Sequence, residues 1–153
     1  TIAIVLMADQ ISKTLVKSNL LLFEAWPSQG FIHLTYGTNT GTAFGLFPNH
    51  TNILILFSFV AIGFLYYLYR RLSAYSILLR FAIGLQLGGA FGNLYDRIKD
   101  GAVVDFINIG WWPTFNLADS SIVVGITIVV VVILRSNTGL MIESRKTSDI
   151  MNE

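Results

Sequence analysis

Two acids, Asp105 and Asp119, stand where an apolar chain has little reason to keep them. Asp105 interrupts Val103-Val104-Asp105-Phe106-Ile107. Asp119 closes Phe115-Asn116-Leu117-Ala118-Asp119, just ahead of a long apolar run. On insertion scales a charge at the centre of a membrane helix costs roughly 2.5–3.5 kcal/mol. Two carboxylates a few ångströms apart cannot both ionise easily, so one keeps its proton and the two titrate as a pair. The ionised member can take a proton from water and send that water against a carbonyl carbon. The protonated member can donate to the developing oxyanion and then help an amine leave. The chemistry such a pair suggests is amide hydrolysis. Plainer readings stay open for each acid alone. Asp119 suits a helix N-terminus as a cap, a role Asn116 can also fill. Asp105 can be a structural acid paired with Arg97.

Competing chemistries fit poorly. There is no cysteine, which removes thiolate metal sites and a cysteine nucleophile. His33 and His50 form no HExxH pattern, and each reads as structural. Ser120 and Ser121 follow Asp119 with no nearby His or Lys to activate them. The segment from Asn39 to Gly45, NTGTAFG, is glycine-rich but lacks the lysine of a phosphate loop. With a net charge of +1 and no basic run, nucleic acid is not an expected partner. No metal and no cofactor is expected.

The elements that must hold the acids are membrane helices. Of the 153 residues, 54% are hydrophobic and 12% charged, well below the ~25% charge of an ordinary soluble domain. Mean hydropathy is +0.64. Ile53 to Tyr69 carries no charge and ends at Arg70-Arg71. Ile77 to Tyr95 holds only Arg80, about one turn inside, and ends at Asp96-Arg97. A run ending at Leu134 reaches spanning length if its helix begins near Asn116. Thr1 to about Lys17 is read as a first span, in preference to a cleaved signal peptide, because no charged n-region or A-x-A-like site frames it.

Four spans place both termini on one side. Arg70, Arg71, Arg80, Arg135, Arg145 and Lys146 outweigh Lys13, Lys17, Arg97 and Lys99, so the positive-inside rule puts the termini in the cytoplasm. The segments of about 18–52 and 98–115 then face outward. Phe31 to Tyr36 and Ala102 to Val104 predict short strands there, and Trp26, Trp111 and Trp112 suit the interface. The polar tail, 136–153, is expected to be cytoplasmic and disordered.

Gly84, Gly88 and Gly92 share one face of the third span and permit close helix approach; that face is a candidate seat for a substrate peptide. Asn93, Asp96 and Arg97 share the face at its outer end. Asp96 and Arg97 alone would make a solvated helix terminus with a local ion pair. Asn93, one turn inside, needs a partner.

In this order the pieces resemble the lipoprotein signal peptidases (signal peptidase II), bacterial intramembrane aspartyl proteases. The matching stretches are Asp9-Gln10-Ile11-Ser12-Lys13, NTGTAFG at Asn39 to Gly45, GGAFGNLYDR at Gly88 to Arg97, VVDFI at Val103 to Ile107 and FNLADSSI at Phe115 to Ile122. The resemblance implies an all-α polytopic membrane protein of the bacterial inner membrane. It would have four transmembrane helices, cytoplasmic termini and a small extracytoplasmic β-rich cradle, in a single domain over 1–135. It implies Asp105 and Asp119 as the catalytic pair, with Asn39, Asn93, Arg97 and Asn116 lining or supporting the site. Asp9 and Lys13 match the first motif, as substrate-binding or site-supporting residues, a structural role among the alternatives. The implied substrate is a prolipoprotein whose Cys carries diacylglycerol, cut on the N-terminal side of that Cys by a monomeric enzyme among membrane lipid. Three features depart from the pattern: Thr42 stands where the family often has Ala, the stretch between the two aspartates is short, and the first motif begins close to the N-terminus. The alternative is a small membrane transporter or proton-conducting subunit. Such a protein would want acids near the midplane or in both halves of the bilayer, whereas Asp9, Asp96, Asp105 and Asp119 gather toward one end.

Overall fold

The structure is a computed structural model that describes residues 1–41, 50–72 and 76–150. Four helices alternate with a small sheet: α1 (Ile2–Asn19), β1 (Ala25–Trp26), β2 (His33–Asn39), α2 (Thr51–Leu72), α3 (Ile77–Asp100), β3 (Val103–Asn108) and α4 (Leu117–Ile150). The expected apolar runs fall on helices and the expected strands on β2 and β3. Three helices, α2, α3 and α4, are long and apolar enough to cross a membrane. The fourth, α1, is an 18-residue helix that carries Asp9, Lys13 and Lys17.

Local signals set the helix ends. Ser76 caps α3 by accepting the Leu78 N–H at 3.2 Å. Gly101 ends it at φ +72°, a left-handed position that costs glycine little, and its N–H returns to the Arg97 carbonyl at 3.1 Å. The last helix, α4, runs to Ile150. No proline interrupts 136–150, and extending a formed helix costs far less than nucleating one.

The central element is α3. Its apolar window is 61% buried, against 6% for α2 and 11% for α4. Large side chains of α2 and α4, such as Phe57, Phe64, Val123 and Ile133, point outward, which suits lipid and not water. Glycines let the neighbours approach α3. A Cβ on Gly88 would lie 2.7 Å from Val5 Cβ, and one on Gly92 would lie 2.6 Å from Asp9 Oδ2. The face made by Gly84, Gly88 and Gly92 is therefore covered by Thr1 and by Val5 and Asp9 of α1, so it is not a substrate seat. Gly89 serves α4 in the same way, facing Ala118 and Ser121.

The sheet runs β1-β2-β3, antiparallel throughout. Gly37 pairs with Asp105 and Asn39 with Val103. An added bridge from Ile107 to Phe115 folds the chain back toward α4. Asp105 thus rides on the last strand while Asp119 rides on the first turn of α4. Of the NTGTAFG motif, positions 42–45 lie outside the described residues, as does the departure at Thr42.

Candidate active site

Asp105 and Asp119 line one cavity of about 1190 Å³, together with Asn39, Asn93 and Arg97. Asp105 is 4% exposed. Asn39 Nδ2 donates to its Oδ2 at 3.0 Å, and Asn116 Nδ2 donates to its Oδ1 at 2.7 Å. Burial, reinforced by the negative charge of Asp119, pushes the Asp105 carboxyl up to about 6, and the two amide donors only partly oppose that rise.

Asp119 occupies the third position of α4. Its Oδ2 accepts the Asn116 N–H at 3.2 Å, and Asn116 Oδ1 accepts the Asp119 N–H at 2.9 Å. This reciprocal arrangement is a capping box. The plain reading of Asp119 as a cap is therefore correct, and it does not displace the other. Its second oxygen, Oδ1, accepts Asn93 Nδ2 at 2.8 Å and belongs to the cavity.

Three asparagines share one logic. Each has its carbonyl oxygen tied to a donor, which turns its NH2 toward an acid. Asn39 Oδ1 accepts the Gly41 N–H at 2.9 Å. Asn116 Oδ1 accepts from Asp119, as above. Asn93 Oδ1 accepts Lys13 Nζ at 3.1 Å. A flipped amide would set carbonyl against carboxylate, so each orientation is fixed by its neighbours.

Behind this layer lies a buried charge cluster. Lys13 is 2% exposed and lies 2.7 Å from both Asp9 Oδ2 and Asp96 Oδ2. Gln10 Nε2 donates to Asp96 Oδ1 at 2.8 Å and to Asp9 Oδ2 at 3.2 Å. Asp9 Oδ1 accepts the Ala118 N–H at 3.0 Å, so an acid of α1 satisfies a free donor of α4. Asp96 is thus buried and paired across helices, which corrects its reading as a solvated end pairing with Arg97. Arg97 turns the other way. It donates to the Gly41 carbonyl at 3.4 Å and reaches the cavity, while its Nε is buried without a partner. His33 Nδ1 lies 2.6 Å from the Pro27 carbonyl, as a structural histidine should.

All eight residues singled out in the sequence fall in this one connected region. Gln10 was missed, although it stands beside Asp9 in the first motif. So were the cavity wall residues Phe23, Trp112 and Thr114, which carry no chemical signal of their own. Among the described residues no group of three or more His, Cys, Asp or Glu is arranged to hold a metal.

Membrane-type helices around a small sheet, with two acids facing one cavity, define a helical membrane enzyme by class. Known proteins narrow the class. The family model of signal peptidase (SPase) II matches residues 1–135. The lipoprotein signal peptidase of Moorella thermoacetica is 44% identical over 126 residues, covering 82% of this chain and 84% of the relative. That of Desulfitobacterium hafniense is 40% identical over 136 residues, covering 88% and 90%. A bacterial membrane enzyme solved in meso at 2.3 Å superposes with a TM-score of 0.84 at 27% identity, covering 90% of this chain and 87% of the other. The chain belongs to the signal peptidase II family of membrane aspartic peptidases. These relatives support the peptidase reading and lend nothing to the transporter alternative.

Proposed function

We propose that this chain removes the signal peptide from diacylglyceryl-modified prolipoproteins, cutting on the N-terminal side of the lipidated Cys. Residues 1–135 act as one monomeric peptidase domain of the bacterial inner membrane. All four helices span the bilayer, both termini are cytoplasmic, and the sheet and cavity lie at the extracytoplasmic side. The observation that carries this reading is the shared cavity, in which the charge of Asp119 helps hold a proton on Asp105.

Asp105 is the acid and Asp119 the base. Asp119 stands at the first turn of α4 with Oδ1 turned into the cavity, where it accepts Asn93 Nδ2. The Asp119 carboxylate takes a proton from a water admitted to the cavity, and the water oxygen bonds to the scissile carbonyl carbon. Asp105 gives its proton to the carbonyl oxygen, making a tetrahedral diol. The C–N bond then breaks as the proton held by Asp119 passes to the leaving nitrogen and Asp105 recovers its own. Asn39 and Asn116 hold Asp105, Asn93 holds Asp119, and Arg97 lines the cavity as a binding group. Asp9 and Lys13 support the layer beneath. Seating an apolar substrate expels water and strengthens each of these contacts.

The test is cleavage of a lipidated precursor by Asp105→Asn and Asp119→Asn proteins that still fold. Each should lose activity by about a thousandfold or more, as expected when a general acid or base is removed. Retained activity in either folded variant removes that residue from the pair.

A further inference from the structure

Phe23 holds its backbone at φ +67°. For a bulky side chain that is an outlier position. It stands third in the tight turn Leu21-Leu22-Phe23-Glu24, which the Glu24 N–H closes onto the Leu21 carbonyl at 2.9 Å. Glycine or asparagine is the usual choice where such a turn needs positive φ. The conformation is held firmly. The Phe23 N–H donates to the Tyr36 carbonyl at 2.8 Å, the Tyr36 N–H donates to the Glu24 carbonyl at 3.1 Å, and the Leu21 N–H donates to Glu24 Oε2 at 2.7 Å. The ring does not repay the strain through folding, because Phe23 is 74% exposed. Phe23 instead lines the cavity of Asp105 and Asp119, whose lining also includes Ile109, Ile122 and Val123. A strained, over-determined residue at the wall of a ligand cavity is where strain serves binding.

We propose that Phe23 is a specificity-determining residue, whose ring packs on an acyl chain of the lipid-modified substrate at the mouth of the Asp105–Asp119 cavity. The inference rests on the substrate reading above. Two features favour a lipid chain as the occupant. At about 1190 Å³ the cavity is larger than the roughly 300–1,000 Å³ of ordinary small-ligand sites. Its lining is mixed: besides the two acids it carries the apolar side chains Ile109, Ile122, Val123 and Val124. A scissile peptide needs the acids, and a hydrocarbon chain needs the apolar side chains.

Phe23→Gly separates the ring from the turn, since glycine takes φ +67° without strain. Wild type, Phe23→Gly and Phe23→Leu are to be compared in detergent micelles, on precursors carrying long-chain or short-chain diacylglycerol. With the long-chain precursor, Phe23→Gly should raise KM by about tenfold, with a smaller change in kcat and an unchanged or higher Tm. Phe23→Leu, which keeps an apolar side chain, should recover part of that loss. The KM increase should shrink with the short-chain precursor. An unchanged KM overturns the proposal. So does an equal increase for both precursors, which would point to the peptide or to bilayer anchoring. A KM increase that follows a lowered Tm overturns it as well, because the turn and not the ring would then be at fault. Failure of the substrate reading looks different: wild type itself would leave the lipidated precursor uncut.

Discussion

The proton on Asp105 is the most exposed point of the mechanism, and Asn39 is the lever on it. The proposed mechanism needs a proton on Asp105. The Asp105 carboxyl is held up to about 6 by burial first and by the charge of Asp119 second. Asn39 works against that rise, because its Nδ2 donates to Oδ2 at 3.0 Å and stabilises the ionised form. Hydrogen bonds to charged groups contribute ~1.5–3 kcal/mol, and one pKa unit corresponds to about 1.36 kcal/mol. Water entering the space left by Asn39→Ala replaces part of that donor, so the lower end applies. The Asp105 carboxyl should move up by about one unit, toward about 7. The sign follows directly: raising this value widens the pH range in which Asp105 keeps its proton. The assay is kcat/KM against pH on a lipidated precursor, which reports the free enzyme. Wild type should lose kcat/KM as pH rises through about 6, and Asn39→Ala should begin that fall about one unit higher. Its maximum should be lower, because the freed carboxylate rotates. A limb that stays put, or moves to lower pH, would refute the assignment of Asp105 as the acid.

Three further outcomes follow from the same geometry. Asp105→Asn removes the cost of ionising a buried group but sets its NH2 against the Asn39 or Asn116 donor; its Tm relative to wild type should therefore rise as pH goes from ~4, where the carboxyl is protonated whether folded or unfolded, to ~7.5. Lys13→Met strands Asp9 and Asp96, both within 2.7 Å of Lys13 Nζ; breaking such a buried pair costs ~3–5 kcal/mol, read as a large drop in Tm that Lys13→Met with Asp9→Asn partly restores. Gly88→Leu drives a side chain into Val5 and the Ile2 carbonyl, so it should cost ~3 kcal/mol or more and separate α1 from α3, whereas unchanged Tm and cleavage would show that α1 can move aside.

Local signals were legible in the sequence. The apolar runs gave α2, α3 and α4, the Asn116 cap fixed the start of α4, and the β-branched stretches gave β2 and β3. The acids stood out because burial of charge demands a reason. Pairings across the chain were not legible. Asp96 looked like a partner for its neighbour Arg97, yet the cation it meets is Lys13 on another helix. The glycine face of α3 looked open to substrate because a repeat of small residues announces a close neighbour without saying which. Phe23 could not have been found at all: nothing in a residue's type reveals a positive φ imposed by its turn.

The hydrogen bond from the Ala118 N–H to Asp9 joins the first helix to the last. A ribosome delivers α1 long before α4, and α1 arrives with Asp9 and Lys13 paired to each other but without Asp96 of α3 and the Ala118 N–H of α4. Until α3 supplies Asp96 and α4 supplies the Ala118 N–H, buried polar groups of α1 lack part of their bonding. A chain stopped short of Ala118 should therefore be cut by proteases sooner than one that reaches past it.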